Sequence, residues 1–154
     1  MHLLLTREYW PTGTNGSLSL DGKEISKTIE APAAQFEPLL SCLREGIYLL
    51  NCLANPPKMA FALFRDRIGL HLPDKPLAEL NASVLQDGSV LQRNIVMVSE
   101  ITGEGRGLPS LENLQKLFSL IGQIPLKSER ATLEIRSCPE HALNLTCHFI
   151  EWMD

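Results

Sequence analysis

The chain has 154 residues, 44% of them hydrophobic and 21% charged, with a formal charge of −4 at neutral pH. A chain of this length buries about 70% of its unfolded surface as a single domain, and its hydrophobic content excludes a disordered one. An acidic balance without a basic stripe excludes nucleic acid as the main partner, and no apolar run approaches the roughly 20 residues of a membrane span.

The elements are read in chain order. Leu3 and Leu5 alternate with Leu4 and Thr6 in a first strand that stops at the turn-rich Trp10-Pro-Thr-Gly-Thr-Asn-Gly16. Leu18 and Leu20 belong to a second strand, and Asp21-Gly22 forms a two-residue hairpin turn into a third over 23–30, because both central residues of a type I′ turn need positive φ. Residues 31–41, with two prolines and no period, read as a loop covering the sheet. Strands follow over 46–53, 59–64 and 68–72. Residues 77–80 read as a helical turn, and 81–93 carry an Asp87-Gly88 turn before a strand at 95–101. Leu111, Leu114, Leu117, Phe118 and Ile121 then keep a 3.6-residue period, with Ser110 as N-cap and Gly122 as stop, which predicts a helix over 110–122. Residues 131–136 and 142–150 alternate as a C-terminal β-hairpin. The expected fold is mainly β (α+β), a compact antiparallel sheet or squat barrel with one covering helix, in a single domain over 1–154.

The start carries three leucines, Leu3 to Leu5, too few for a signal-peptide core, so the sequence reads as cytoplasmic when synthesised, with no membrane partner. The four cysteines, Cys42, Cys52, Cys138 and Cys147, form no CxxC pair and read as reduced thiols, with Cys42 and Cys52 in the core. Zinc would accept Cys138, His141, Cys147 and His148, but Cys147 and His148 are adjacent and point to opposite faces of a strand. No metal and no cofactor are expected. His71, at a strand end beside a proline-rich loop, is placed for a general base or a hydrogen-bonding anchor, although a satisfied half-buried histidine is the simpler reading, since no partner for a triad accompanies it. The segment Thr102-Gly-Glu-Gly-Arg-Gly107 falls between a strand and a helix, where backbone N–H groups can cradle an anion. Its spacing matches neither GxGxxG nor a P-loop, and Glu104 would repel phosphate, so a connecting turn is the simpler reading. Arg106 is left as a candidate for a carboxylate. No serine sits in a GxSxG elbow.

Five segments in order resemble one family: Thr6-Arg-Glu-Tyr with Gly13-Thr-Asn-Gly16; Asp21-Gly-Lys with Thr28-Ile-Glu30; Ser41-Cys-Leu-Arg-Glu-Gly-Ile-Tyr48; Ile68-Gly-Leu-His71; and Ile101-Thr-Gly-Glu-Gly-Arg-Gly107. The chain over roughly 5–136 resembles an uncharacterised bacterial and phage domain family distantly related to the YkuD-like L,D-transpeptidase catalytic domain. That resemblance implies a nucleophilic cysteine in a Gly-Cys-Ile triplet, which falls here on Arg93-Asn94-Ile95. Asparagine replaces the cysteine, so the covalent route is lost. The register makes 81–92 an insertion and 138–154 a C-terminal addition. What the resemblance implies is a non-catalytic domain that binds a peptide, muropeptide or carboxylate in a pocket near His71, Arg93, Asn94 and Arg106, in a cell-wall or phage-related setting. The alternatives are an active acyl transferase or hydrolase using Ser83 with His71, and a pure structural or interaction module.

Overall fold

The computed structural model describes residues 1–33, 41–55, 58–65, 76–122 and 131–138. These form β1 (His2–Trp10), β2 (Gly13–Leu20), β3 (Lys23–Glu30), β4 (Gly46–Asn55), β5 (Lys58–Arg65), β6 (Ala78–Asn81), β7 (Asn94–Gly103), β8 (Arg106–Pro109), α1 (Leu111–Gly122) and β9 (Thr132–Ser137). The sheet runs β3-β2-β1-β9-β4-β5-β6-β7, and its end strands pair with each other: Lys27 with Val98, Thr28 with Met97, Ile29 with Val96. The result is a closed eight-stranded barrel with one helix, the squat barrel that the alternation predicts. Two of its seams, β1–β9 and β6–β7, are parallel.

Residues opposite each other across a ladder share a face, so the registers define the interior. Leu3 and Leu5 face Leu20 and Leu18 on one side and Leu133 and Ile135 on the other. Leu50 faces Leu63, and Phe61 faces Leu80. At one end of the barrel, here the upper end, β1, β3, β5 and β9 finish and β2, β4, β6 and β7 begin. Helix α1 covers the lower end. Ser110 caps it by accepting the Asn113 N–H at 3.1 Å, and Asn113 Nδ2 donates to Ser26 Oγ on β3 at 3.1 Å. Leu114 and Leu117 enter the main core, and Phe118 meets Phe61 with ring centroids 4.3 Å apart. A second apolar layer lies outside the barrel wall, where Val84, Val90 and Ile101 pack on Ile29, Val96 and Val98.

The Asp21-Gly22 turn takes positive φ at both residues, 52° and 80°, as a type I′ hairpin requires. The structure departs from the sequence reading at three places. Residues 77–80 are not a helical turn: Ala78–Asn81 is strand β6, because ladders from β5 and β7 were open on its two sides and an isolated helical turn does not sustain its own nucleation. The glycine-rich segment does not lead straight into the helix, since β8 intervenes and Glu104-Gly105 is the tip of a β7–β8 hairpin. Cys52 is exposed, although it faces the same way as Phe61. β9 pairs with β4 only over Gly46–Leu49, so the β4–β5 hairpin runs on past the barrel wall and carries Cys52 with it. β9 itself lies between β1 and β4; the strand expected at 142–150, like that at 68–72, falls outside the described residues.

Parallel neighbours require a crossover connection, and residues 82–93 supply it between β6 and β7. Val84 and Val90 of this crossover cover the outer apolar layer. Leu117 is fully buried and Leu111 is 53% exposed on the same helix. In urea unfolding, Leu117→Ala is expected to cost about 2–5 kcal/mol, whereas Leu111→Ala stays within about 0.5 kcal/mol of the parent.

Candidate functional site

The chemistry of the upper end follows from the phase of β1. Leu3 and Leu5 face inward, so Arg7 faces inward too, and it is 1% exposed. On β3 the same phase carries Ser26, Thr28 and Glu30, and Glu30 is equally buried. Arg7 donates from Nε to Glu30 Oε2 at 2.8 Å and from Nη2 to Glu30 Oε1, so both carboxylate oxygens are satisfied by one planar fork. Its Nη1 donates to the Leu43 carbonyl at 2.6 Å and to the Tyr9 hydroxyl at 3.3 Å. Tyr9 in turn donates to Glu45 Oε2 at 2.9 Å, and Glu45 Oε1 accepts the Ser137 N–H at 2.7 Å. Cys42 N–H donates to the Pro32 carbonyl at 3.3 Å. The segment 41–45 is thereby tied across the barrel end to β1 and β9.

These groups are held in states that favour structure over catalysis. Burial is the largest single influence on Arg7 and opposes its charge, but Glu30, through charge and hydrogen bonding, together with Cys42 and Tyr9 outweighs it and the guanidinium pKa is raised. Burial pushes the Glu30 carboxyl upward, and Arg7 opposes that shift through charge and two hydrogen bonds. Burial likewise pushes the Tyr9 hydroxyl upward against Arg7. The Cys42 thiol is raised by burial more than Arg7 lowers it, so it is a poor nucleophile despite the neighbouring cation. Every nitrogen of the Arg7 guanidinium has an acceptor within the protein, which leaves it a fastening for 41–45.

The glycine-rich hairpin is also accounted for by structure. Its tip docks on the β1–β2 turn: Asn15 Nδ2 donates to the Gly103 carbonyl at 3.2 Å, and Asn15 Oδ1 accepts the Gly105 N–H at 2.8 Å. Thr12 donates to Glu104 Oε2 from Oγ1 at 2.5 Å and from its N–H at 3.3 Å. A Cβ on Gly13 would stand 2.4 Å from Gly105 Cα, so two backbones meet where only glycine fits. Glu104 therefore has a partner within the protein, and the Gly105 N–H at the hairpin tip is given to Asn15.

Of the residues singled out from the sequence, the structure brings Arg93 and Asn94 together at the upper end, where β7 begins beside Glu79 of β6. Arg93 is held at φ 62°, its carbonyl accepts the Glu79 N–H at 3.2 Å, and its Nε is buried. Asn94 is half-buried, its N–H donating to the Leu91 carbonyl at 3.0 Å. Arg106 is engaged elsewhere, donating from Nη1 to the Asp87 carbonyl of the crossover at 2.6 Å. Ser83 is exposed on the crossover, and its N–H donates to Asn81 Oδ1 at 3.2 Å. His71 lies outside the described residues. The Arg7–Glu30 pair escaped the sequence reading, although its signal was present: Arg7 continues the inward phase of Leu3 and Leu5, which puts a charge where only a buried partner can hold it. No protein-family model, curated protein or solved structure matches the chain.

Removing one member of a buried ion pair strands the other. Arg7→Met is expected to cost about 3–5 kcal/mol in denaturant unfolding, and the double substitution Arg7→Met with Glu30→Leu to recover at least half of that loss. A double variant as unstable as the single one would show that Leu43 and Tyr9 depend on the guanidinium independently of Glu30.

Proposed function

We propose that this chain is a non-catalytic binding domain of the L,D-transpeptidase-like kind, taking up a peptide or carboxylate ligand such as a cell-wall muropeptide at the upper end of the barrel. The observation that carries this reading is the backbone of Arg93. A non-glycine residue in the left-handed region costs on the order of 1–3 kcal/mol, and such positions cluster at ligand sites, where the surrounding structure holds them. Here the strained residue is a half-buried arginine immediately before Asn94, at the position where the resemblance places an acyl-forming cysteine. An asparagine amide donates and accepts hydrogen bonds but forms no acyl-enzyme. The segments that carry the resemblance also converge in space, since Arg7, Glu30 and residues 41–45 meet in one cluster at the same barrel end.

The test is thermal unfolding with purified muropeptides, because a ligand that binds only the folded state raises its stability, by about 2.7 kcal/mol at one hundred times Kd. Muropeptides are expected to raise the melting temperature without being consumed. Arg93→Asn, which tolerates the left-handed backbone while removing the guanidinium, is expected to stay folded and lose the effect. Mass-spectrometric detection of a hydrolysed product or acyl adduct that disappears in Ser83→Ala or His71→Ala would replace this reading with the acyl-transferase one.

A further inference from the structure

A second group of arginines stands at the same barrel end, and it differs from Arg7 in having charge to offer. Tyr48, on the inward face of β4, is 6% exposed and donates its hydroxyl to the Arg44 carbonyl at 2.5 Å, which fixes the Arg44 backbone at the phenol end of the ring. Across the β4–β5 ladder Tyr48 lies directly opposite Arg65, the last residue of β5, so the two side chains share the inward face at the upper end of the barrel. Both Arg44 and Arg65 are exposed, and neither side chain has a hydrogen bond or ion pair among the described residues. Burial pushes the Tyr48 hydroxyl upward, while Arg7, Arg65, Arg44 and Arg93 all pull it back, so the fields of four guanidinium groups overlap at one phenol. Among the described residues, the acidic side chains at this end are hydrogen-bonded: Glu30 with Arg7, Glu45 with Tyr9 and the Ser137 N–H, Glu79 with Asn81.

We propose that Arg65 and Arg44, spaced by Tyr48, hold the terminal carboxylate of the ligand; this deepens the binding reading above and rests on it. The planar guanidinium fork matches a carboxylate in two-point geometry. A singly charged carboxylate suits the site better than a phosphate dianion, because Glu30 and Glu45 stand at the same end and repel a second negative charge. Tyr48 acts as a positioning residue, its hydroxyl committed to Arg44.

The experiment is an NMR titration of the full chain at low ionic strength, following the Tyr48 ring and the arginine Nε–H signals. The probes are N-acetyl-D-alanine, its amide and inorganic phosphate, followed by muropeptides. The acid is expected to give saturating shifts at Tyr48 and Arg65, the amide none, and phosphate weaker ones. Arg65→Gln should weaken binding of the acid about tenfold, as loss of a charge-assisted contact does. Arg136→Gln, an exposed arginine paired with Glu134, should leave it unchanged. Equal response to acid and amide, phosphate binding at least as tight, or an unaffected Arg65→Gln would overturn the carboxylate site. Muropeptide binding without a response at Tyr48 or Arg65 would overturn the site and leave the binding reading standing. Acid binding at Tyr48 with no muropeptide binding would keep the site and remove the cell-wall reading.

Discussion

Closure of the sheet rests on three residue pairs between β3 and β7, and the arrangement of the upper end depends on them. An open sheet would leave β3 and β7 each with a row of unpaired N–H and C=O groups. With the ring shut, every strand has a definite inside, and the inward phase of each becomes a commitment that its last residues must honour. β1 honours it with Arg7, β3 with Glu30 and β5 with Arg65. Two of these are deep enough to require each other. Arg65, at the edge, keeps its charge toward solvent.

The same residue type therefore does two jobs at one barrel end. Arg7 sits among groups that satisfy it completely, and its role is to secure 41–45 through the Leu43 carbonyl and Tyr9. Among the described residues neither the Arg44 nor the Arg65 side chain has a hydrogen bond or ion pair, which is the condition an arginine needs to meet a ligand carboxylate. Burial decides between the two roles. A guanidinium at 1% exposure without an internal carboxylate would leave an uncompensated charge in the core, whereas one at the rim remains hydrated until a ligand displaces that water.

Much of the fold was legible from local pattern. The Asp21-Gly22 turn, the alternation of β1 and β2 and the period of α1 were all visible, because each is fixed by interactions within a few residues. What escaped depends on neighbours distant in sequence. β6 is four residues long and takes its identity from β5 and β7, so nothing within it distinguished a strand from a helical turn. The glycine-rich segment read as a plain connecting turn, and its docking was not visible because its partners, Thr12, Gly13 and Asn15, lie about ninety residues earlier. At the candidate site Arg93 and Asn94 were found through the register of a resembled motif, Arg106 proved to serve the crossover, and Arg44 and Arg65 carried no motif. Their significance comes from the ladder that sets Arg65 opposite Tyr48.

The strain at Arg93 has a topological origin that bears on its role. Because β6 and β7 are parallel, the crossover must carry the chain back to the upper end before β7 can start downward. The reversal is completed at Arg93, in a left-handed conformation, with the Glu79 N–H bonded to its carbonyl. Glycine would meet that backbone requirement without a Cβ penalty. The turn alone therefore does not account for an arginine there. Arg93 interacts with other groups of the protein, and its guanidinium also acts on Tyr48 together with those of Arg44 and Arg65, so the side chain answers demands that the backbone turn does not set.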